Sequence, residues 1–253
     1  VPNSFVLRIG GYRFIDEPER IVIPTLIDDL LERCENGELK IREKNDSEKP
    51  VVGFAGWAEL SFKQKIRTIL KESPIRLRAI FDRRYITMTK GIFWRAKSIR
   101  ILQRSTKVKL NLKSRRSFSG STKTAQGDLE TLQREFVDTI LGSDYGLEVR
   151  GDPNTSNRLF EVCSLGRIPV VIDTERNLPW GDVLDYREFC LIVDYRDINR
   201  LADIVADFHA GITPERFKKM QRRAREVYVD YFRIDSLMRH IIKALETQVV
   251  KQK

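Results

Sequence analysis

The chain has no long hydrophobic run. None of its apolar stretches approaches the roughly 18 consecutive residues that a membrane-spanning helix needs. The sequence opens Val1-Pro2-Asn3 rather than with a basic and then apolar leader. Glycine, proline and cysteine are also too few for a collagen, a low-complexity chain or a disulfide miniprotein. These absences leave an ordinary globular chain.

Cysteine and histidine are scarce. The three cysteines, Cys34, Cys163 and Cys190, show no C-x-x-C spacing, which argues against a disulfide framework or a zinc site and fits a reducing compartment. The two histidines, His209 and His240, lie in predicted C-terminal helices, away from any Ser or Cys nucleophile. Catalytic-triad, metal-hydrolase and deaminase chemistry therefore lack their usual residues.

Three common nucleotide-binding motifs are absent as well. The chain contains no Asp-x-Asp, no G-x-x-x-x-G-K-[ST] and no G-x-G-x-x-G. Metal–diphosphate, P-loop and dinucleotide sites thus lack their sequence signatures. A phosphate site in this chain should depend on arginines and helix N-termini instead.

Positive charge is in excess and unevenly distributed. The 253 residues allow one large α/β domain or two small ones. Residues 60–124 hold 19 lysines and arginines against two carboxylates, whereas the rest of the chain holds 27 against 34. Such a local surplus repels itself unless an anion binds there, for example a nucleoside diphosphate, a nucleic acid or an acidic polymer.

Short β-branched runs alternate with longer amphipathic stretches from Val51 onward, which predicts an α/β fold with a parallel, doubly wound sheet. The predicted strands are 51–55, 77–81, 108–112, 145–149, 168–172 and 191–193. The predicted helices are 61–72, 92–104, 128–141, 156–165, 198–209, 214–231 and 235–249. The polar segment 35–50 is interpreted as a domain boundary, and residues 113–127 as a long loop.

Residues 147–161 form the most informative segment: an apolar strand, a Gly-Asp-Pro-Asn turn, and Ser156 as a helix N-cap. Such a unit presents backbone N–H groups and a helix dipole at the strand's carboxyl end. Arg150 and Arg158 can both reach an anion there, and Glu161 lies one turn further on, placed for paired sugar hydroxyls. Alternatively, Arg158 and Glu161 form an ordinary surface ion pair beside a plain turn.

The basic block adds further candidates. Arg67 lies after the first predicted strand, and Arg115 and Arg116 begin the long loop after another. Any single one of them is more often a solvated cation. Because the local surplus is so large, we expect these residues to converge on the same cleft.

Several motifs occur in a fixed order along the chain. They are VVGFAGW (51–57), FWR (93–95), SRRSFSG (114–120), SDYGLEVRG (143–151), SNRLFE (156–161), LGRIPVVID (165–173) and LPW (178–180). Together they resemble the exostosin-like glycosyltransferases, glycosyltransferase family 47, and the first three are similar to its short bacterial and viral members. The resemblance covers about residues 50–232, in order and with similar gaps.

The resemblance implies a GT-B architecture, in which two Rossmann-like domains face a cleft. Residues 1–48 would be the acceptor-side domain, 49–232 the nucleotide-sugar-binding domain, and 233–253 a helix crossing back to the first. Only about 50 residues precede the donor domain, where the family usually has a full N-terminal domain. Either that domain is reduced or the chain is a fragment.

The resemblance also implies an inverting transferase that moves a sugar from a UDP-sugar to a glycan or oligosaccharide hydroxyl. Xylose is the first guess for the sugar, and no metal, other cofactor or nucleic-acid partner is expected. Arg158 would contact the diphosphate and Glu161 the ribose. The predicted donor-binding residues are Arg67, Arg115, Arg116, Arg150, Gly151, Asn154, Ser156, Arg158 and Glu161. A basic nucleic-acid-binding protein and an inactive glycan-binding relative stay open as alternatives.

Inversion by direct displacement requires a base for the acceptor hydroxyl, and both histidines are poorly placed for this role. Asp16, beyond the Gly10-Gly11-Tyr12 turn, and Glu59, in the loop leaving the strand at 51–55, are the candidates. Asp16 ranks first because acceptor-side groups in GT-B enzymes usually come from the N-terminal domain. Either carboxylate could equally be a solvated loop residue.

The compartment follows from a sequon, Asn154-Thr155-Ser156, inside the predicted phosphate loop. A glycan on Asn154 would block the donor. We therefore expect a cytoplasmic enzyme, in a bacterium or a virus-infected cell, rather than a Golgi protein.

Overall fold

The N-terminal residues form two short strands and a helix beside the main sheet. The computed structural model describes residues 6–15, 20–58, 60–115, 128–152 and 154–251. Strand β1 (Val6–Arg8) pairs in parallel with β2 (Arg20–Val22). Helix α1 (Leu30–Glu35) begins after Asp29, whose carboxylate accepts hydrogen bonds from free backbone N–H groups of the first turn. The sequence does not predict these elements, because such short runs show no clear periodicity.

Five strands form the central parallel sheet. They are β3 (Val51–Trp57), β4 (Lys109–Arg115), β5 (Tyr145–Glu148), β6 (Ile168–Asp173) and β7 (Leu191–Asp194). Each hydrogen-bonded pair of these strands is parallel. Helices cover both faces of such a sheet, so that its inner strands are buried on both sides, and all four residues of β5 are indeed buried. The predicted parallel α/β sheet is confirmed.

Eight further α-helices lie in the described part of the chain. They are α2 (Phe62–Lys71), α3 (Ser73–Phe81), α4 (Gly91–Arg104), α5 (Leu129–Leu141), α6 (Asn157–Ser164), α7 (Leu201–Gly211), α8 (Pro214–Val227) and α9 (Ile234–Lys251). All except α3 agree with predicted helices to within a few residues. Their caps explain the agreement: Ser61 and Gln64 form a capping box at α2, and Thr213 caps α8 ahead of Pro214.

The strand order in the sheet is β4-β3-β5-β6-β7. The chain runs from β3 outward to β4 and then returns to β5 on the other side of β3. At this reversal the loops leaving β3 and β5 diverge and open a crevice, which is where doubly wound sheets bind ligands. The fold therefore places the candidate site at the carboxyl ends of β3 and β5.

The core fills both sides of the sheet. On one side, Phe54 of β3 lies in a buried cluster with Trp94 of α4 and Val205 of α7. On the other side, Ala55 of the same strand lies in a cluster with residues of α1, α5 and α6, among them Phe136. Successive residues of β3 thus point to opposite layers, as the pleat of a strand requires.

The strand predicted at residues 77–81 is wrong, because these residues belong to helix α3. Pro74 lies in the first turn of α3, where the missing N–H is tolerated. The side chains of Leu77, Ile80 and Phe81 are exposed, so no sheet neighbour buries them. A short apolar run alone cannot distinguish a strand from a helix.

The polar segment 35–50 is hydrogen-bonded to the sheet domain. The Arg42 N–H donates to Gln221 Oε1, and the Arg42 carbonyl accepts from Gln221 Nε2, both at 2.9 Å. The Arg42 guanidinium pairs with Asp144 at 2.6 Å, and Arg167 donates to the Lys40 carbonyl at 2.8 Å. Buried polar pairs of this kind hold the segment at a defined place on the surface of the domain.

The domain division at residue 48 stays a prediction, as does the crossing of residues 233–253 to an N-terminal domain. Next to α9, Arg233 forms an ion pair with Glu32 of α1 at 3.5 Å. Within α9, Leu237 and Ile241 are buried. The helix is therefore attached to the body of the protein along one face.

Candidate functional site

A cleft of about 690 Å³ opens at the carboxyl ends of β3 and β4 and at the loop that follows β5. Its floor includes Ala55, Gly56 and Trp57 at the end of β3, and one wall is the start of α6. Residues of α4, α5 and α1 also line it. The cleft thus lies at the switch point of the sheet.

Arg158 is fixed between α6 and β3. Ser156 caps α6 by accepting a hydrogen bond from the Arg158 N–H at 3.2 Å. The Arg158 guanidinium donates from Nη2 to the Ala55 carbonyl at 2.7 Å and lies over the Phe54 ring, 4.4 Å from its centroid. The strand below therefore orients this side chain at the cleft.

The approach of Arg158 to β3 requires Gly56. Gly56 has a φ of 147°, a conformation that side chains disfavour, and a Cβ there would collide with Arg158 Nη2. The guanidinium occupies the space that a side chain at position 56 would fill. The importance of Gly56 could not be predicted from the sequence, because it depends on the contact between β3 and α6 in the folded protein.

Arg158 and Glu161 do not form the surface ion pair that the alternative interpretation requires. In the described part of the chain, the Arg158 guanidinium donates to the Ala55 carbonyl, and the Glu161 carboxylate makes no hydrogen bond or salt bridge. Burial lowers the pKa of Arg158 and raises the pKa of Glu161. Both side chains line the cleft, so their polar atoms can take a ligand.

Arg95 of α4 is a cleft residue that sequence reasoning missed. Its Nε donates to the Val149 carbonyl at 3.3 Å, and its two terminal nitrogens have no partner in the described part of the chain. Burial, with repulsion from Arg158, lowers the pKa of Arg95 to about 10. The motif FWR contained this residue, but nothing in its spacing indicated that the side chain points into the cleft.

The lining of the cleft is strongly positive. It contains five cationic residues and two carboxylates, which are Arg33, Lys90, Arg95, Arg115, Arg158, Asp152 and Glu161. Lys90 approaches Asp152 only to 3.9 Å. Arg115 donates to the Leu132 carbonyl at 2.7 Å and pairs with Glu135 at 3.3 Å. An anion entering the cleft would therefore meet a net positive surface.

Arg150 lies beneath the loop, not in the cleft lining. Its side chain has no exposed surface, and its guanidinium donates to the carbonyls of Gly151, Asp152, Thr87 and Thr89. Direct contact with a ligand, as expected from the sequence, would require these bonds to break. In this structure Arg150 instead holds the loop and the segment before α4 together.

Asn154 likewise has a supporting position. It adopts a φ of 55° and is fully buried. Its amide donates to the Gly11 carbonyl at 2.8 Å and accepts from the Thr174 hydroxyl at 2.7 Å. Asn154 therefore fastens the loop after β5 to the N-terminal residues, while Gly151 and Ser156 of the same loop do line the cleft.

Of the remaining predicted site residues, the structure describes only Arg67, and it does not line the cleft. Arg67 lies on the exposed helix α2, beside a separate shallow depression. Asp16, Glu59 and Arg116 lie outside the described residues. The structure thus brings together Arg115, Gly151, Ser156, Arg158 and Glu161.

Comparison with known proteins identifies the family. The model of the exostosin GT47 domain matches residues 82–208, half of the chain. The chain belongs to the exostosin GT47 family. As a member, it has a GT-B-type fold, and its parallel sheet with helices on both faces is the Rossmann-like part of that fold.

Two curated relatives of this GT47 chain match it over part of their length. An Exostosin-1 homolog of Caenorhabditis elegans is 26% identical over 120 residues, which are 46% of this chain and 30% of the relative. A probable glycosyltransferase of Arabidopsis thaliana is 30% identical over 92 residues, 36% of this chain and 17% of the relative. The matched regions thus span less than a third of either relative.

The described residues of the GT47 chain offer neither a cluster of metal ligands nor a membrane-spanning helix. Across the described ranges, no group of three or more His, Cys, Asp or Glu side chains is arranged to hold a metal ion. In the same ranges, no helix has the length and apolarity needed to cross a bilayer.

Proposed function

We propose that this GT47 chain is a glycosyltransferase that moves a sugar, with inversion, from a UDP-sugar to the hydroxyl of a glycan or oligosaccharide, and that the donor binds in the cleft at the switch point. The observation that carries the proposal is the pair Arg95 and Arg158. Both guanidinium groups line the cleft, and the two terminal nitrogens of Arg95 and Nη1 of Arg158 have no described protein partner. Xylose is our first choice of sugar, on family resemblance alone.

The diphosphate would lie at the N-terminus of α6. There it would accept hydrogen bonds from the Arg158 and Arg95 side chains and would lie at the positive end of the α6 dipole. Because burial lowers the pKa of both arginines, a bound anion would compensate charges that the protein leaves partly desolvated. The Glu161 carboxylate would accept hydrogen bonds from the ribose hydroxyls.

The reaction we propose is a single displacement. The acceptor oxygen attacks the anomeric carbon, the bond from that carbon to the diphosphate breaks, and UDP leaves with the electron pair. A carboxylate takes the acceptor proton, with Asp16 or Glu59 as candidates. The arginines and the α6 dipole would stabilise the negative charge on departing UDP, in place of a metal ion.

The test is UDP affinity in variants of the two arginines, measured by isothermal titration calorimetry. We expect Arg95→Gln and Arg158→Ala each to weaken UDP binding roughly ten- to hundredfold, since a charge-assisted hydrogen bond contributes about 1.5–3 kcal/mol. Arg100→Gln, an exposed arginine on the same helix as Arg95, is the control and should bind UDP normally.

The two variants differ in their structural risk. Arg158→Ala also removes the bond to β3, so its folding must be checked by thermal unfolding, whereas Arg95→Gln removes one bond to the Val149 carbonyl. Normal UDP affinity in both folded variants would refute the proposed donor site. Subsequent hydrolysis of a panel of UDP-sugars by the wild-type protein would identify the donor and separate an enzyme from an inactive glycan-binding relative.

A further inference from the structure

Helices α2 and α3 have exposed apolar faces. Neither contains a buried side chain. Their large apolar residues are open to solvent instead, with Phe62 76% exposed and Phe81 92% exposed. The others are Ile66, Ile69, Leu70, Leu77 and Ile80. An exposed apolar surface of this kind marks an interaction site.

The apolar residues of α2 share one face. Phe62, Ile66, Ile69 and Leu70 follow the spacing i, i+4, i+7 and i+8, which places them in a single stripe along the helix. The capping box at Ser61 fixes where the helix begins. The stripe thus lies on a regular helix. In the described part of the chain, no other helix or strand covers it.

The charged residues around this stripe are all positive. Helix α2 carries Lys63, Lys65, Arg67 and Lys71 and no carboxylate. None of the four makes an ion pair with another described residue. The one carboxylate between α2 and α3, Glu72, is buried and bound to Arg76 and to the Lys90 N–H. No exposed acid on either helix offsets these cations.

We propose that α2 and α3 bind the surface of an anionic lipid bilayer. A helix with an apolar face, a lysine-rich polar face and little overall hydrophobicity lies in the membrane interface, with its apolar side chains among the acyl chains and its cations at the headgroups. Lys63 and Lys65 flank the stripe in sequence and can extend to lipid phosphates.

Other occupants fit this surface less well. A second copy of the chain would bring two sets of unpaired cations together, which is unfavourable. A single-stranded nucleic acid would satisfy the lysines but would leave the aliphatic side chains Ile66, Ile69 and Leu70 without the base stacking that aromatic residues provide. An anionic bilayer satisfies both the charge and the apolar stripe.

Helix α2 follows closely after a strand that lines the cleft, so the binding of α2 to a bilayer would also position the cleft. Helix α2 begins only five residues after the end of β3 at Trp57, which lines the cleft. A chain of five residues spans less than about 18 Å. Docking of α2 would therefore hold the mouth of the cleft near the bilayer surface.

The experiment is flotation of the full chain with vesicles of phosphatidylcholine alone or with 30 mol % phosphatidylglycerol. The variant Lys63→Gln/Lys65→Gln/Lys71→Gln tests the charges, and Phe62→Ser/Leu70→Ser tests the stripe. Matched controls are Arg216→Gln/Lys219→Gln/Arg222→Gln, which removes three exposed cations from α8, and Val183→Ser/Ile242→Ser, which removes two exposed apolar side chains elsewhere.

We expect the wild type to bind anionic vesicles and to be released by salt. The triple lysine variant should bind about a hundredfold more weakly, because each lysine near an anionic surface contributes about fivefold. The Phe62/Leu70 variant should lose at least tenfold, and both controls should bind like the wild type. UDP affinity should be unchanged in all variants, which separates this proposal from the donor site.

Several results would overturn the proposal. They are absence of binding to anionic vesicles, equal losses in the α2 variants and their matched controls, and tighter binding to a single-stranded oligonucleotide that does not depend on Phe62 and Leu70. Self-association of the wild type that Phe62→Ser/Leu70→Ser abolishes would assign the surface to a second copy instead.

Discussion

The surroundings of Glu161 disfavour the charged form of its side chain. Burial raises its pKa above the ordinary value, and the attraction of Arg158 offsets this only in part. A carboxyl group kept in such a position weakens the fold when it is ionised. The conflict is understandable if the carboxylate serves a ligand rather than the stability of the protein.

We expect Glu161→Gln to stabilise the protein at neutral pH while weakening UDP binding. The unfolded chain loses the Glu161 proton near its ordinary pKa of about 4.3, below the raised pKa of the folded state. Wild-type stability therefore falls as pH rises through this window, and the variant lacks this loss. Urea unfolding of both proteins between pH 4 and 8 measures the difference.

The control for this comparison is Glu48→Gln, which changes an exposed carboxylate and should leave the pH dependence as it is. A Glu161→Gln protein that is less stable than the wild type across the whole range would show that the carboxylate makes favourable contacts. In that case its proposed role at the ribose would lose its physical basis.

The catalytic base is predicted to be Asp16 or Glu59. Asp16→Asn or Glu59→Gln, whichever removes the base, should lower kcat at least a hundredfold and leave UDP affinity intact, because the base acts on the acceptor proton and not on the donor. Transfer rates and calorimetric UDP affinities are measured separately. Near-normal transfer in both variants would place the base elsewhere.

Single residues were predictable from the sequence only where local structure decides their position. Ser156, Arg158 and Glu161 follow from a strand, a turn and a helix N-cap, so their place at the cleft could be predicted. Arg150 is adjacent in sequence, but its direction depends on carbonyls of Thr87 and Thr89 about 60 residues away. Tertiary contacts of this kind leave no local pattern.

At the scale of elements, the contact between the end of β3 and the first turn of α6 sets the geometry of the cleft. Arg158 crosses from one to the other above Gly56. The two elements can come this close because the strand has no side chain there. A substitution of Gly56 would therefore displace the Arg158 side chain, although the two residues are far apart in sequence.

We expect Gly56→Ala to weaken UDP binding about tenfold and to destabilise the fold by about 1–2 kcal/mol. The added Cβ would displace Arg158 Nη2 and would also force a side chain into a backbone conformation that disfavours it. Calorimetry with UDP and thermal unfolding measure the two effects.

Gly211→Ala is the matched control, since a Cβ at Gly211 meets no atom within 4 Å. It should bind UDP normally and unfold at or above the wild-type temperature. Equal UDP affinity in Gly56→Ala and the wild type would mean that the position of Arg158 over β3 does not matter for the donor.

The main elements were predictable because their length and periodicity are informative, as in the helices from α4 to α8. Helix α3 was not, since a short exposed apolar run satisfies the pattern of a strand equally well. The pairing of β1 with β2 depends on residues 14 positions apart and has no sequence signature. Prediction failed where segments are short or tertiary contacts decide.

For the whole molecule, we expect transfer activity to persist in EDTA. The positive lining of the cleft would take the role of a metal ion as counter-charge for departing UDP. The measurement is initial rate with the best UDP-sugar, with and without chelator. Activity that disappears in EDTA and returns on addition of manganese would contradict the expectation, and a known metal-dependent transferase serves as the positive control.

The paired hydrogen bonds between Arg42 and Gln221 constrain the order in which parts of the chain can fold. These residues are 179 positions apart in sequence, so the cost in loop entropy of bringing them together is met only when the sheet between them has formed. During synthesis from the N-terminus, the segment around Arg42 leaves the ribosome long before α8 exists. Its backbone hydrogen bonds to Gln221 are therefore among the last to close.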